Sequence, residues 1–231
     1  MSDTSNFEEK IQIKFKNKGL LQQALTHRSY INENRGHKLP HNERLEFLGD
    51  AVLELAVTKF LFSKYPEKTE GDLTSYRAAL VNTNTLSEAS AKLDINNFLL
   101  LSKGEKKDTG RARSYILANT FEAIVGAIYL DQGFAPAEKF IAKNLFHLTE
   151  EIVSKKLWQD SKSFFQEKAQ EEASVTPSYK TVKEEGPDHD KMFTVAVFLG
   201  DEEIAVGKGQ SKQEAEQDAA RSGLHKKGWD K

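Results

Sequence analysis

The sequence predicts two domains: an all-α domain over residues 1–153 and an α+β domain of order α-β-β-β-α over 160–231, joined by a short polar linker at 154–159. Three observations carry this reading. In the first part, apolar residues recur at spacings of three and four, the period of a helix with one buried stripe. Beyond Trp158 the pattern changes to the alternation and β-branched content of strands. The chain has 231 residues, 38% of them hydrophobic, which suits one large domain or two small ones and supplies a real core.

Element by element, Asn42 to Leu61 reads as a helix whose buried stripe is Leu45, Leu48, Val52, Leu55, Ala56 and Phe60, with Pro66 beyond its end. Further helices suit Asp72 to Asn82 and Thr85 to Leu93. Ser114 to Asp131 is strongly apolar, through Ile116, Leu117, Phe121, Ile124, Val125, Ile128 and Tyr129. It is expected to be the central helix of a bundle, stopped by Gly133. A last helix, Pro136 to about Lys156, closes this half. The second half opens with a short helix, Lys162 to Glu172, followed by Pro177. Strands are expected at Tyr179–Lys183, Met192–Phe198 and Ile204–Lys208, with a turn over 199–203. The closing helix runs from Ser211 to about Lys226, with Ser211 and Glu214 spaced as a capping box. There is no internal repeat and no low-complexity segment.

Composition excludes several chemistries. With no cysteine there is no disulfide framework, no Cys-ligated zinc and no thiol nucleophile. No stretch approaches the ~20 apolar residues of a membrane helix. The first ten residues lack the basic and then apolar regions of a signal peptide, so a cytoplasmic protein without a membrane partner is expected. Net charge is −2 overall; residues 1–159 carry 22 basic and 20 acidic groups, and 160–231 carry 11 and 15. Neither half announces nucleic acid by composition, so any such function rests on where the charges sit.

The richest stretch is Asn42-Glu43-Arg44-Leu45-Glu46-Phe47-Leu48-Gly49-Asp50. Glu46 and Asp50, four apart, lie on one helical face, an unfavourable spacing for like charges unless something positive sits between them. Asn119 and Glu122, three apart, put a second oxygen-rich patch on an otherwise apolar helix, where buried polar groups need partners. Two such helices facing each other would offer Glu, Asp, Asn and Glu to a hard divalent cation, Mg²⁺ or Mn²⁺. The spacing alone is equally met by solvated acids at 46 and 50 and a locally bonded Asn119.

This stretch resembles the signature of the ribonuclease III family, the Mg²⁺-dependent endonucleases specific for double-stranded RNA. Leu25-Thr26-His27-Arg28-Ser29-Tyr30, Glu70-Gly71-Asp72-Leu73-Thr74 and Leu117-Ala118-Asn119-Thr120-Phe121-Glu122-Ala123 match in the right order. The whole chain is similar to the family's bacterial two-domain form. The resemblance implies metal ligation by Glu46, Asp50, Asn119 and Glu122, with Asp50 and Glu122 catalytic and Glu122 the least dispensable. It also implies a cleavage valley lined by Glu43 and, further out, Glu70. The products would carry 5′-phosphate and 3′-hydroxyl ends with short 3′ overhangs, from ribosomal precursors and structured transcripts. At 119 the family's commonest residue is Asp; Asn keeps a carbonyl oxygen but no charge. The resemblance further implies a homodimer in which Phe47 inserts into the other subunit, the alternative being that Phe47 belongs to its own chain's core. His27, Arg28 and Tyr30 either order the fold or touch RNA. Lys103, Lys106, Lys107, Arg111 and Arg113 are either merely solvated or hold the substrate's phosphates.

A-form RNA hides its base edges, so a protein grips 2′-hydroxyls across the minor groove and the phosphates between. Gln166, Glu167 and Gln170 offer short polar groups on one helix, and Gly186-Pro187-Asp188-His189 a reaching loop. Ser211 and Lys212 stand where a helix N-terminus favours phosphate. The run Gly207 to Glu216 resembles that of a double-stranded-RNA-binding domain, with Gln213 where a second Lys is common. A binding-only relative is the alternative, discriminated by whether the chain cuts. An HD-type phosphohydrolase is disfavoured because the Asp188-His189-Asp190 doublets lie in an expected loop.

Overall fold

The computed structural model describes residues 4–107, 110–156, 158, 160–187 and 191–229. It divides into two compact units, 1–158 and 159–231. The first contains α1 (Ser5–Ile11), α2 (Lys18–Ala24), α3 (Arg28–Glu33), α4 (Glu43–Lys64), α5 (Glu70–Val81), α6 (Thr83–Lys92), α7 (Arg111–Gln132), α8 (Phe134–Leu145) and α9 (Thr149–Ser154). Trp158 stays with this unit, its ring edge-on to Tyr76 at 5.1 Å between centroids.

α7 is the hub, with Phe121, Ala123, Ile124, Val125, Ala127 and Ile128 all fully buried. Each large side chain sequestered this way contributes about 1.5–3 kcal/mol. α7 starts three residues before the expected Ser114 and ends at Gln132, where Gly133 takes φ +87°, a conformation costly for a side-chain-bearing residue. α4 packs along it through Leu45, Gly49, Val52, Leu53, Ala56, Val57 and Leu61. The expected stripe is corrected at Leu55, which is 58% exposed. Leu55 is turned about 100° from Ala56 and falls instead on a face with Phe47 and Phe62, 82% and 72% exposed.

Other boundaries shift for local reasons. α5 begins at Glu70 rather than Asp72, because Thr69 caps it and the Asp72 carboxylate returns a bond to the Thr69 N–H. α6 begins at Thr83 because Asn82 Oδ1 accepts the Thr85 N–H. The single helix expected over Pro136–Lys156 is broken by a 3-10 turn at Phe146–Leu148, where Phe146 stacks on Phe60 at 3.8 Å and buried Thr149 donates back to the Phe146 carbonyl. The three short helices before Asn42 lack the length for a periodic signal.

The second unit runs α10 (Ser161–Ala173), β1 (Pro177–Glu185), β2 (Met192–Leu199), β3 (Glu202–Gly209) and α11 (Lys212–Lys227), the expected α-β-β-β-α order. The antiparallel sheet β1-β2-β3 pairs Thr181 with Val195 and Val195 with Gly207. Phe165, Val197, Ile204, Ala219, Ala220 and Leu224 form its core. Gly207 and Gly209 are glycines because β3 lies against the backbone of α11: a Cβ on Gly207 would stand 2.0 Å from Ala219 N. Ser211 caps α11 by accepting the Glu214 N–H, but the expected box is altered: Glu214 returns its bond to the N–H of Gln210, not of Ser211.

Candidate functional site

α4 and α7 touch backbone to backbone. A Cβ on Gly49 would stand 1.8 Å from the Glu122 carbonyl oxygen, and one on Gly126 would stand 2.2 Å from that of Leu45. Only a glycine pair allows this approach, and it brings the flanking residues together: Glu46 and Asp50 from α4, Asn119 and Glu122 from α7. The Asn119 amide hydrogen-bonds the Glu46 carboxylate. Glu122 is pushed up to about 8 by burial first, then by the Asp50 and Glu46 charges. Glu46 is also raised, by burial and then by Glu43, with Asp50 adding and the Asn119 bond opposing. Carboxylates that hold protons this firmly are short of positive charge.

That deficit, with a donor set of three carboxylates and one amide oxygen, fits a hard divalent cation. Among the described residues no three His, Cys, Asp or Glu side chains are already closed into a metal-binding group. Glu43, exposed in the first turn of α4, pairs with Arg28 at 3.4 Å and lies 3.7 Å from His41 Nδ1.

A polar junction that the sequence reading passed over anchors this site. Asn42, only 2% exposed, donates its side-chain amide to the Ala24 carbonyl and its backbone N–H to Thr26. Leu100 bridges the same segment, its N–H to Leu25 and its carbonyl accepting from His27. An Asn just before a helix signals a cap; here its side chain makes no cap and ties α4 to the strand-like segment instead. His27 caps α3.

Glu70 lies away from the four-residue cluster. It opens α5, accepts a bond from Thr74, and lines a cavity of about 390 Å³ with Thr58, Leu61, Phe62, Leu73 and Arg77. Thr58 is eight residues beyond Asp50, roughly 12 Å along α4. Phe47 is exposed, so it is not part of its own chain's core.

In the second unit Gln166, Glu167 and Gln170 share the exposed face of α10, opposite buried Phe165 and Ala169. Ser211 and Lys212 stand at the start of α11, the Lys212 ammonium 3.3 Å from Glu184 and over the Phe193 ring. Gln213 is exposed beside them. His189, and Asp188 with it, lies outside the described residues.

Comparison with known proteins bears on both units. A family profile described as Ribonuclease-III-like matches residues 17–148, and one described as a double-stranded RNA binding motif matches 161–227. The Ribonuclease 3 of Enterococcus faecalis is 45% identical over 222 residues, covering 96% of each chain. That of Bacillus velezensis is 44% identical over 220 residues, 95% of this chain and 88% of its own. The nuclease domain of ribonuclease III from Campylobacter jejuni, solved at 2.2 Å, superposes with a TM-score of 0.55 at 41% identity, covering 62% of this chain and 97% of its own. A second structure of that domain, also at TM-score 0.55 and 41% identity over 62% of this chain and 98% of its own, concerns flexibility in a region involved in dimer formation.

Proposed function

The chain belongs to the ribonuclease III family as a double-stranded-RNA endoribonuclease, and from that premise we propose that it cuts with Mg²⁺ held by Glu46, Asp50, Asn119 and Glu122. The observation that carries the proposal is the glycine-paired contact of α4 with α7, which gathers three carboxylates and one amide at a single place. Mn²⁺ would occupy the same oxygen donors. When bound, the metal would supply a water made nucleophilic near neutral pH and charge relief on the leaving oxygen. Around it, Asn119 orients Glu46, and Arg28 holds Glu43 at the valley's entrance. Cleavage leaves 5′-phosphate and 3′-hydroxyl ends, and structured transcripts, ribosomal precursors among them, are the expected substrates.

The working unit in this proposal is a homodimer. Phe47, Ala51, Leu55, Thr58 and Phe62 fall within about 80° of α4's circumference, leaving an apolar stripe open. Antiparallel pairing of α4 with its two-fold mate sets Phe47 of one protomer against the cavity of the other. It also brings one protomer's Glu70 toward the acid cluster of its partner. Two sites so related cut both strands and leave short 3′ overhangs. Gln166, Gln170, His189, Ser211 and Lys212 hold the duplex, and Glu43 and Glu70 line the valley. No described helix is long and apolar enough to cross a membrane, and a cytoplasmic location is proposed.

The test is cleavage of a long end-labelled duplex with Mg²⁺, Mn²⁺ or chelator, with ligation assays on the product ends. Metal-dependent cutting to 5′-phosphate ends with overhangs is expected. Equal cutting in chelator, or 3′-phosphate products, would overturn the proposal.

A further inference from the structure

The segment bearing Lys103, Lys106 and Lys107 is hydrogen-bonded to α3. Leu101 and Ser102 are buried and the three lysines are exposed. The Ser102 N–H donates to Ser29 Oγ at 3.1 Å, and the Lys103 N–H donates to Glu33 Oε2 at 3.0 Å. Within the segment the Glu105 N–H donates to Ser102 Oγ, and the Arg113 guanidinium donates to the Glu105 carbonyl.

Behind Ser29 stands His27. Its Nδ1 accepts the Ser29 N–H at 3.3 Å and so carries the lone pair. The Ser29 hydroxyl lies 2.8 Å from the same Nδ1 and accepts the Ser102 N–H, so one side chain links the imidazole to the segment. Ser102, Ser29 and His27 thus form one hydrogen-bonded chain. Burial keeps His27 below its ordinary pKa, outweighing the Glu105 and Glu43 carboxylates that would raise it, with Arg28 and Arg113 lowering it further. At this same end Arg28 ties α3 to α4 through its pair with Glu43. One short helix thus joins the acidic helix to the basic segment.

We infer that Ser29, hydrogen-bonded to His27, is a positioning residue for duplex cleavage: it holds the Lys103–Lys107 segment in the place from which its lysines meet substrate phosphates. This rests on the nuclease reading above, and it takes the phosphate-contact reading of these lysines.

The full-length dimer carries the test, with Ser29→Ala, Ser29→Thr and the double change Lys106→Ala/Lys107→Ala. Amide hydrogen exchange is read on the RNA-free proteins, and kcat and KM on a duplex substrate with Mg²⁺. For Ser29→Ala, faster exchange at Ser102 and Lys103 is expected, with KM raised about fivefold, the worth of one neutral hydrogen bond, and kcat nearly unchanged. Ser29→Thr, which keeps the hydroxyl, should restore both. Unchanged exchange in Ser29→Ala, a fall in kcat without a rise in KM, or failure of Ser29→Thr to rescue would each overturn the inference. If the double lysine change raises KM while Ser29→Ala does not, the lysines hold RNA and the positioning role fails. If the double change leaves KM where it was, the phosphate-contact reading itself is lost.

Discussion

Asn119 places an amide oxygen among three carboxylates and hydrogen-bonds one of them, Glu46. Giving it a charge adds attraction for a divalent ion, since charge count is a main determinant of affinity at such sites. Asn119→Asp should therefore lower the Mg²⁺ concentration for half-maximal cleavage at unchanged cut sites, and Asn119→Ala should raise it. Single-turnover Mg²⁺ titrations of the three proteins on one duplex check this, and coincident curves would make Asn119 purely structural. A second residue reports on stability. Asp131 accepts the Lys16 and Asn17 N–H groups, each at 2.8 Å. Burial raises its pKa, but those bonds, with Gln132 and Lys16, bring it net below the ordinary value. A carboxylate depressed on folding stabilises above its unfolded pKa and loses that contribution as pH falls through the folded one. The Tm gap between the parent and Asp131→Asn should thus be widest near pH ~6 and shrink toward pH ~3; a gap independent of pH would contradict it. At this scale the sequence was readable wherever spacing sufficed, as for Glu46 and Asp50. It was silent on Asn42, whose burial depends on carbonyls 16 to 18 residues earlier in the chain.

The α4–α7 crossing is the element on which the site depends. Gly49 and Gly126 let the two backbones meet, and that contact, not the i,i+4 spacing, brings Asp50 and Glu46 to Glu122. Gly49→Ala forces a methyl into the Glu122 carbonyl and should cost at least the ~1–3 kcal/mol typical of overpacking. Urea unfolding measures this; a variant as stable as the parent would mean that the helices can part without penalty. The helices themselves were legible from their periodicity, and the alternation of β2 likewise. Leu55 was assigned to the core because its spacing from Val52 is helical, yet the same spacing serves the exposed stripe with Phe47 and Phe62. The break at Phe146–Leu148 was hidden because its cause, the stack of Phe146 on Phe60, is a contact between residues 86 positions apart.

Two compact units imply a division of labour, with the acid cluster in 1–158 and the double-stranded RNA binding motif in 159–231. A fragment ending at Trp158 should still cut duplex RNA, weakly near physiological salt and better at low salt, because the phosphate contacts left to it weaken as salt rises. A folded, dimeric fragment inactive at every salt concentration would contradict that division. Phe47→Ala should shift the sedimentation of the intact protein toward monomer and lower cleavage in step; an unchanged dimer would remove Phe47 from the interface. The α-β-β-β-α unit was readable as a whole because its glycines and strand residues are local signals. The place of Glu70 was not: it shares a cavity with Thr58, which stands roughly 12 Å along α4 from Asp50. The most direct test of the cutting site is Glu122→Gln, which keeps the shape and removes the charge. Paired assays on one duplex should show cleavage lost at every Mg²⁺ concentration, with binding close to the parent's. A variant that binds and still cuts at more than a few per cent of the parent rate would place the chemistry elsewhere.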